Sequence, residues 1–131
     1  MDVFRRFHLN NPTGNKGEDI AVRFLKGIGF SVLERNYKNV SGRALGEIDI
    51  VAEENGELVF VEVKAREAKP GKEAFPEENI TPSKLRKLSR IAEGYLREKR
   101  REATPYRFDA VLVVFRDGID PEIRHFRSIF I

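Results

Sequence analysis

Residues 46–66 read "GEIDIVAEENGELVFVEVKAR", and the dipeptide at the centre of that stretch decides how the rest is folded. Asn55-Gly56 is a strong hairpin signal, because both central positions of a type I′ turn need positive φ. With that two-residue loop Glu54 pairs with Glu57, and counting back sets Asp49 opposite Glu62 and Glu47 opposite Lys64. Side chains alternate along a strand, so these four charges project from one face while Ile48, Ile50, Val61 and Val63 fill the other. Opposed Cβ atoms lie about 5 Å apart. Two carboxylates at that distance repel by about 3 kcal/mol at an effective dielectric of about 20. Two arrangements relieve the repulsion. One is an ionic ladder at the end of the sheet, with Lys64 serving both Asp49 and Glu47. The other is a hard divalent cation, since Mg²⁺ favours one or two carboxylates completed by waters and phosphate oxygens.

Around this hairpin the chain has 131 residues, 40% of them hydrophobic. That suits one globular domain burying roughly two-thirds of its unfolded surface. There is no cysteine, and the two histidines, His8 and His125, are far apart. Disulfides, thiolate metal sites and cysteine nucleophiles are excluded, and no zinc spacing exists. The absence of cysteine fits a cytoplasmic protein. No run has the length of a signal peptide or a membrane span, so no membrane partner is expected. Residues 1–15, "MDVFRRFHLNNPTGN", read as a flexible basic arm, and residues 16–131 as a single domain.

Within that domain the spacing of Ile20, Ala21, Phe24, Leu25 and Ile28 predicts a helix from about Lys16 to Ile28. "FSVLERNYK" follows as a strand, with Phe30, Val32 and Glu34 on one face and Ser31, Leu33 and Arg35 on the other. After the hairpin, residues 66–81 lack periodicity and predict a long loop, a common place for function. Thr81 and Pro82 are N-cap and first-turn residues of a second helix, with an apolar stripe of Leu85, Leu88, Ile91, Ala92, Tyr95 and Leu96. "YRFDAVLVVF" is a strand covered on both faces. Asp117-Gly118 turns the chain into a last strand in "EIRHFRSIFI". The fold class is α/β, a central mixed β-sheet flanked by helices, in the order α-β-β-β-α-β-β.

Charge is uneven across these elements. From Pro82 to Arg101 eight Lys or Arg face two Glu, a surplus of six, so the remainder of this +3 chain carries −3. A basic helix on an acidic body suits a polyanion, although such a run also serves as a solvated face.

The cluster supports phosphodiester hydrolysis without cysteine, histidine or an organic cofactor. Asp49 and Glu62 would hold Mg²⁺ or Mn²⁺, with the carbonyl of Val63 as a further hard oxygen. The cation polarises the phosphate and acidifies a water. Lys64 would orient or deprotonate that water, or neutralise charge building on phosphorus.

Asp49 followed by Glu62-Val63-Lys64 resembles the Asp…(Asp/Glu)-x-Lys motif of the restriction-endonuclease-like superfamily, whose core has the same α-β-β-β-α-β order. More narrowly, the chain resembles the YraN family of predicted endonucleases, related in fold to archaeal Holliday-junction resolvases. The matching stretches are "GNKGEDIAVRFLKGIGFSVLERNYK", "GEIDIVAEENGELVFVEVKAR", the lysine in "TPSKLRKL" and "RFDAVLVV". Ile48 stands where the superfamily often has proline. The resemblance implies a metal-dependent endonuclease acting on DNA, branched or junction DNA included, with Glu18 joining the metal and Lys84 reaching the phosphate. Arg66, at the loop entrance, is a second phosphate contact through its planar fork, and Lys87 a third. Resolvases are symmetric dimers, so a homodimer is implied. The apolar "FRSIFI" offers either its contact or a final core strand. Tyr37 and Tyr95 are candidates to stack on a base, Tyr95 also for the core, and Arg107 with Asp109 reads as an ion pair at a strand start. The alternatives are a nucleic-acid-binding protein that retains this fold without cleaving, and a structural or partner-binding domain whose long loop and basic helix meet an acidic protein.

Overall fold

The structure, a computed structural model, describes residues 12–39, 46–68 and 81–129. The expected arm up to residue 11 and the loop segment 69–80 lie outside these. Seven elements follow in the expected order: α1 (Pro12–Gly27), β1 (Ser31–Lys38), β2 (Glu47–Glu54), β3 (Glu57–Glu67), α2 (Pro82–Glu98), β4 (Tyr106–Phe115) and β5 (Glu122–Phe126). α1 begins four residues before Lys16, β3 continues through Arg66 and Glu67, and β5 ends at Phe126 rather than at the terminus.

The five strands lie in chain order in one mixed sheet. β1, β2 and β3 form an antiparallel meander, β3 and β4 run parallel, and β5 returns antiparallel to β4. A parallel pair needs a crossover, and α2 supplies it. Asn55 and Gly56 both have positive φ (51° and 80°), and Glu54 pairs with Glu57 as the turn chemistry requires.

Each helix covers one face. α2 lays Leu85, Leu88, Ile91, Ala92, Tyr95 and Leu96 on Val51, Leu58, Phe60 and Phe108. α1 lays Ala21, Val22 and Leu25 on Ala52, Val59, Val61, Val111 and Val113. Both β3 and β4 are therefore buried on two sides, as the apolar run of β4 demanded. Thr81 caps α2, its hydroxyl accepting from the Lys84 amide at 3.1 Å. Among the described residues no helix is long and apolar enough to cross a membrane.

Strict alternation fails in the outer strands. Phe30 and Val32 share the α1 side as expected, but a register shift between Val32 and Glu34 takes Glu34 off it, toward Lys99. Asn36 then adopts positive φ (52°). Arg35 consequently meets α1 through Asp19, whereas Tyr37, two residues on, packs under α2. Its partner strand switches with it: Ile48 joins the α2 cluster and Ile50 the α1 cluster. The expectation that these two isoleucines share a face is thus corrected, and Asp49 sits at the crossover. Tyr37 is also corrected as a stacking platform. It is buried, donates its hydroxyl to Glu98 at 2.8 Å, and meets Tyr95 edge-on with ring centroids 5.0 Å apart.

Candidate metal and phosphate site

The described ladder between β2 and β3 ends at Ile50↔Val61. Beyond it the Val63 amide donates to the Asp49 carboxylate at 2.8 Å instead of to a strand carbonyl. The two strands part here, and a cleft of about 440 Å³ opens between the start of β2 and the first turns of α2. Gly46, Glu47, Asp49, Glu62, Ser83, Lys84 and Lys87 are among the residues lining it.

Asp49 and Glu62 lie side by side, as the hairpin count requires, with their carboxyl groups close enough to share a hydrogen bond. Glu62 is buried, and two lysines converge on its Oε2: Lys64 from the same strand at 3.4 Å, and Lys84 from α2 in direct contact. Lys64 therefore does not serve Glu47, as the simple register had it. Glu47 accepts instead from Asn36 Nδ2 at 3.0 Å and lies 4.0 Å from Lys38 Nζ, because the strands have separated before Lys64 can reach across.

A third element closes the cluster. One carboxylate oxygen from each of Glu18, Glu47 and Asp49 lies within 4.8 Å of the others. Asn36 bridges two of these acids, its amide also donating to Glu18 Oε1 at 3.1 Å. Glu18 is set in place by Gly17, where α1 presses on β3 so closely that a Cβ there would stand 2.7 Å from Ala65 Cβ. Asn36 was not singled out from sequence. The available signal was an asparagine, a residue that tolerates positive φ and is scarce in strand interiors, at the middle of "RNYK".

Electrostatics follow from this crowding. Burial, and then the negative charge of Glu62, push the Asp49 carboxyl up to about 8, against the opposing pull of the Val63 amide. Burial and the adjacent Lys84 lower Lys64. Burial pulls Lys84 down most strongly of any one cause, but its hydrogen bonds to Glu62 and Lys64 and the charges of Glu62 and Asp49 together outweigh that and leave it raised. The donors are all oxygens, carry an excess of negative charge, and include an acid that burial and the Glu62 charge keep protonated near neutrality. That set fits a hard divalent cation.

Of the residues nominated from sequence, the fold brings Glu18, Asp49, Glu62, Lys64, Lys84 and Lys87 to this end of the sheet. Arg66 turns back to donate to the Ala65 carbonyl at 2.9 Å and does not line the cleft. Arg107 and Asp109 form more than a strand-start pair. Asp109, fully buried, accepts from Arg107 Nε (2.9 Å), the Ser128 amide (2.9 Å) and His125 Nε2 (2.8 Å), and Arg107 extends to Glu54 and Glu57.

Comparison with other proteins gives the chain its relatives. A family model described as "Uncharacterised protein family UPF0102" matches residues 17–113, which hold every acid and lysine of the cleft. A UPF0102 protein of Geotalea daltonii is 41% identical over 92% of this chain and 91% of its own length. Another, from Caldicellulosiruptor saccharolyticus, is 44% identical over 76% of this chain and 80% of its own. One from Neisseria meningitidis serogroup C is 42% identical over 80% and 86% respectively.

Proposed function

From the premise that the chain belongs to the uncharacterised protein family UPF0102, the YraN family its motifs resemble, we propose that it is a metal-dependent endonuclease hydrolysing phosphodiester bonds in DNA, branched or junction DNA included. The observation that carries this reading is the convergence of Asp49, Glu62, Glu18 and Glu47 with two lysines at one cleft mouth. The choice of DNA and of branching rests on the likeness to resolvases.

Asp49, Glu62 and Glu18 would hold Mg²⁺ or Mn²⁺, with Glu47 beside them. Val63, whose amide already faces Asp49, presents its carbonyl to the same side of the strand. When bound, the cation supplies Lewis-acid polarisation of the phosphate and a water acidic enough to ionise near neutrality. Lys64 is buried enough to have its proton affinity lowered, which suits it to receive or steer the proton of the attacking water. Lys84, its proton affinity raised, keeps its charge and would neutralise a non-bridging oxygen as negative charge builds. Lys87, further along the cleft wall, would hold the flanking phosphate.

One observation favours a second reading, in which the fold binds nucleic acid without cleaving. Lys64 and Lys84 both reach Glu62 Oε2, so this buried acid has two cationic side chains as partners. Labelled linear, flapped and four-way-junction DNA incubated with Mg²⁺ or Mn²⁺ separates the two. Cleavage by the native chain that Asp49→Ala and Lys64→Ala both lose supports the nuclease. Salt-sensitive binding that never leads to cleavage supports the second reading.

A further inference from the structure

We infer that the solvent face of α2 carries a polynucleotide backbone away from the acidic cleft, so that the substrate is a polymer and not a nucleotide-sized phosphodiester. The inference rests on the nuclease reading of the cleft and adds to it the surface that holds the strand beyond the cleft.

The basis is where unpaired positive charge collects. Elsewhere Arg35, Arg101, Arg107, Arg116 and Arg127 each reach a carboxylate within 4.0 Å, and α1 bears two exposed cations, Arg23 and Lys26, that reach none among the described residues. On α2, Arg86, Lys87, Arg90 and Arg97 are exposed and reach none among the described residues, although Glu93 lies on the same helix. Like charges one turn apart, such as Arg86 and Arg90, disfavour the helix that bears them. A polyanion along this face would relieve that repulsion.

Helix geometry gives the charges a direction. Steps of three residues rise about 4.5 Å and turn back about 60°. Lys84, Lys87 and Arg90 therefore form one inclined row. It starts on the wall of the cleft, which Lys84 and Lys87 line, and climbs to the outer face. There Arg86, Arg90 and Arg97 fall within about 40° of one another around the axis, and from Lys84 to Arg97 the rise is about 20 Å. A nucleic-acid strand presents one charge per ~3.4 Å of helix axis, so this length spans several phosphates. A small phosphodiester would occupy the cleft and leave Arg86, Arg90 and Arg97 without a partner.

The test compares the full chain with Arg86→Gln/Arg90→Gln/Arg97→Gln, and with Arg23→Gln/Lys26→Gln on the exposed side of α1. Binding of fluorescent oligonucleotides of about 4 and about 20 residues, single- and double-stranded, is followed by anisotropy without metal as salt is raised. Neutralising three phosphate contacts is expected to reduce the log–log salt slope for the longer oligonucleotide by about 2–3. Its hydrolysis in Mn²⁺ should fall at least tenfold, while hydrolysis of bis(p-nitrophenyl) phosphate is unchanged and the α1 variant behaves as native. An unaltered slope in the triple variant, an equal loss in the α1 variant, or equal competition by poly-glutamate would overturn the inference. Native protein that binds the long oligonucleotide through this face but hydrolyses neither substrate would sustain the track and sink the nuclease reading. Cleavage of both substrates by native and triple variant alike would do the reverse.

Discussion

The Asp49 carboxylate accepts the Val63 amide at 2.8 Å, just past the last described rung joining β2 to β3. One aspartate thus ends a ladder and begins a site. The amide it takes would otherwise be satisfied by a strand carbonyl, and the separation of the strands makes room for Glu62, Glu47 and Glu18 to approach.

Asp49 also dictates how stability varies with pH. Its carboxyl rises from the usual 3.8 to about 8 on folding, through burial first and the Glu62 charge second. Between those values the folded chain holds a proton that the unfolded chain has released, so stability falls as pH rises across that window. A divalent cation replaces the proton. Thermal melts are expected to show a Mg²⁺ gain at pH 8, about 2.7 kcal/mol at a hundredfold excess over Kd, and little gain at pH 5. Asp49→Asn should remove both the slope and the gain. A melting temperature indifferent to Mg²⁺ at pH 8 would count against the cation site.

The second deeply placed aspartate should behave in the opposite sense. Burial pushes Asp109 up, but hydrogen bonds from His125, Arg107 and the Ser128 amide outweigh it and hold the carboxyl below its usual value. Its contribution is present above the unfolded pKa and is lost as pH falls through the folded one. Asp109→Asn leaves Arg107 partly unpaired and is expected to cost about 3 kcal/mol by urea unfolding. The Mg²⁺ gain should survive.

Asn36 separates backbone strain from site chemistry. Asn36→Gly keeps the positive φ but loses both amide contacts to Glu18 and Glu47, whereas Asn36→Ala also adds roughly 1–2 kcal/mol of left-handed strain. Both should weaken Mg²⁺ affinity by about 10–100-fold, as loss of a ligand-orienting partner does. Only the alanine variant should also melt markedly earlier. Equal metal affinity in all three proteins would remove Asn36 from the site.

Gly17 fixes the distance between α1 and β3. Gly17→Ala sets a methyl against Ala65 Cβ and should cost about 1–3 kcal/mol while drawing Glu18 away from Asp49. Gly27→Ala, with nothing within 4 Å, serves as the control and should be neutral. Calorimetry with and without Mn²⁺ reads both effects.

Lys84 and a metal would compete for Glu62. Lys84→Met should lower the metal-free melting temperature, since buried Glu62 then keeps only Lys64, yet enlarge the gain from Mg²⁺. DNA cleavage should fall in the same variant. A smaller gain would indicate that Lys84 assists the cation instead of standing in for it.

Much of this arrangement was legible in the chain because it is local. Asn55-Gly56 specifies its own turn, the turn specifies Glu54↔Glu57, and counting from there runs to Ile50↔Val61, one step short of Asp49 and Glu62, whose side chains meet beyond it. The stripe of α2 is likewise a short-range pattern. What escaped depends on distant partners. A register shift after Val32 and a left-handed Asn36 exchange the faces of Arg35 and Tyr37 and carry Ile48 and Ile50 apart, and nothing in a period of two announces that exchange. Asp109 reads, with Arg107, as an ion pair at a strand start. Its burial emerges only when β5 and the chain after it fold back to bring His125 and Ser128.

The parallel alignment of β3 with β4 carries a kinetic corollary. β1, β2 and β3 neighbour one another in sequence and can zip early, but β4 must await passage of the whole α2 segment, and contacts of such separation form slowly. Lys84 meets Glu62 through that same passage. Refolding monitored by far-ultraviolet dichroism should therefore recover sheet signal before it recovers responsiveness to Mn²⁺, which makes the cleft a late product of assembly.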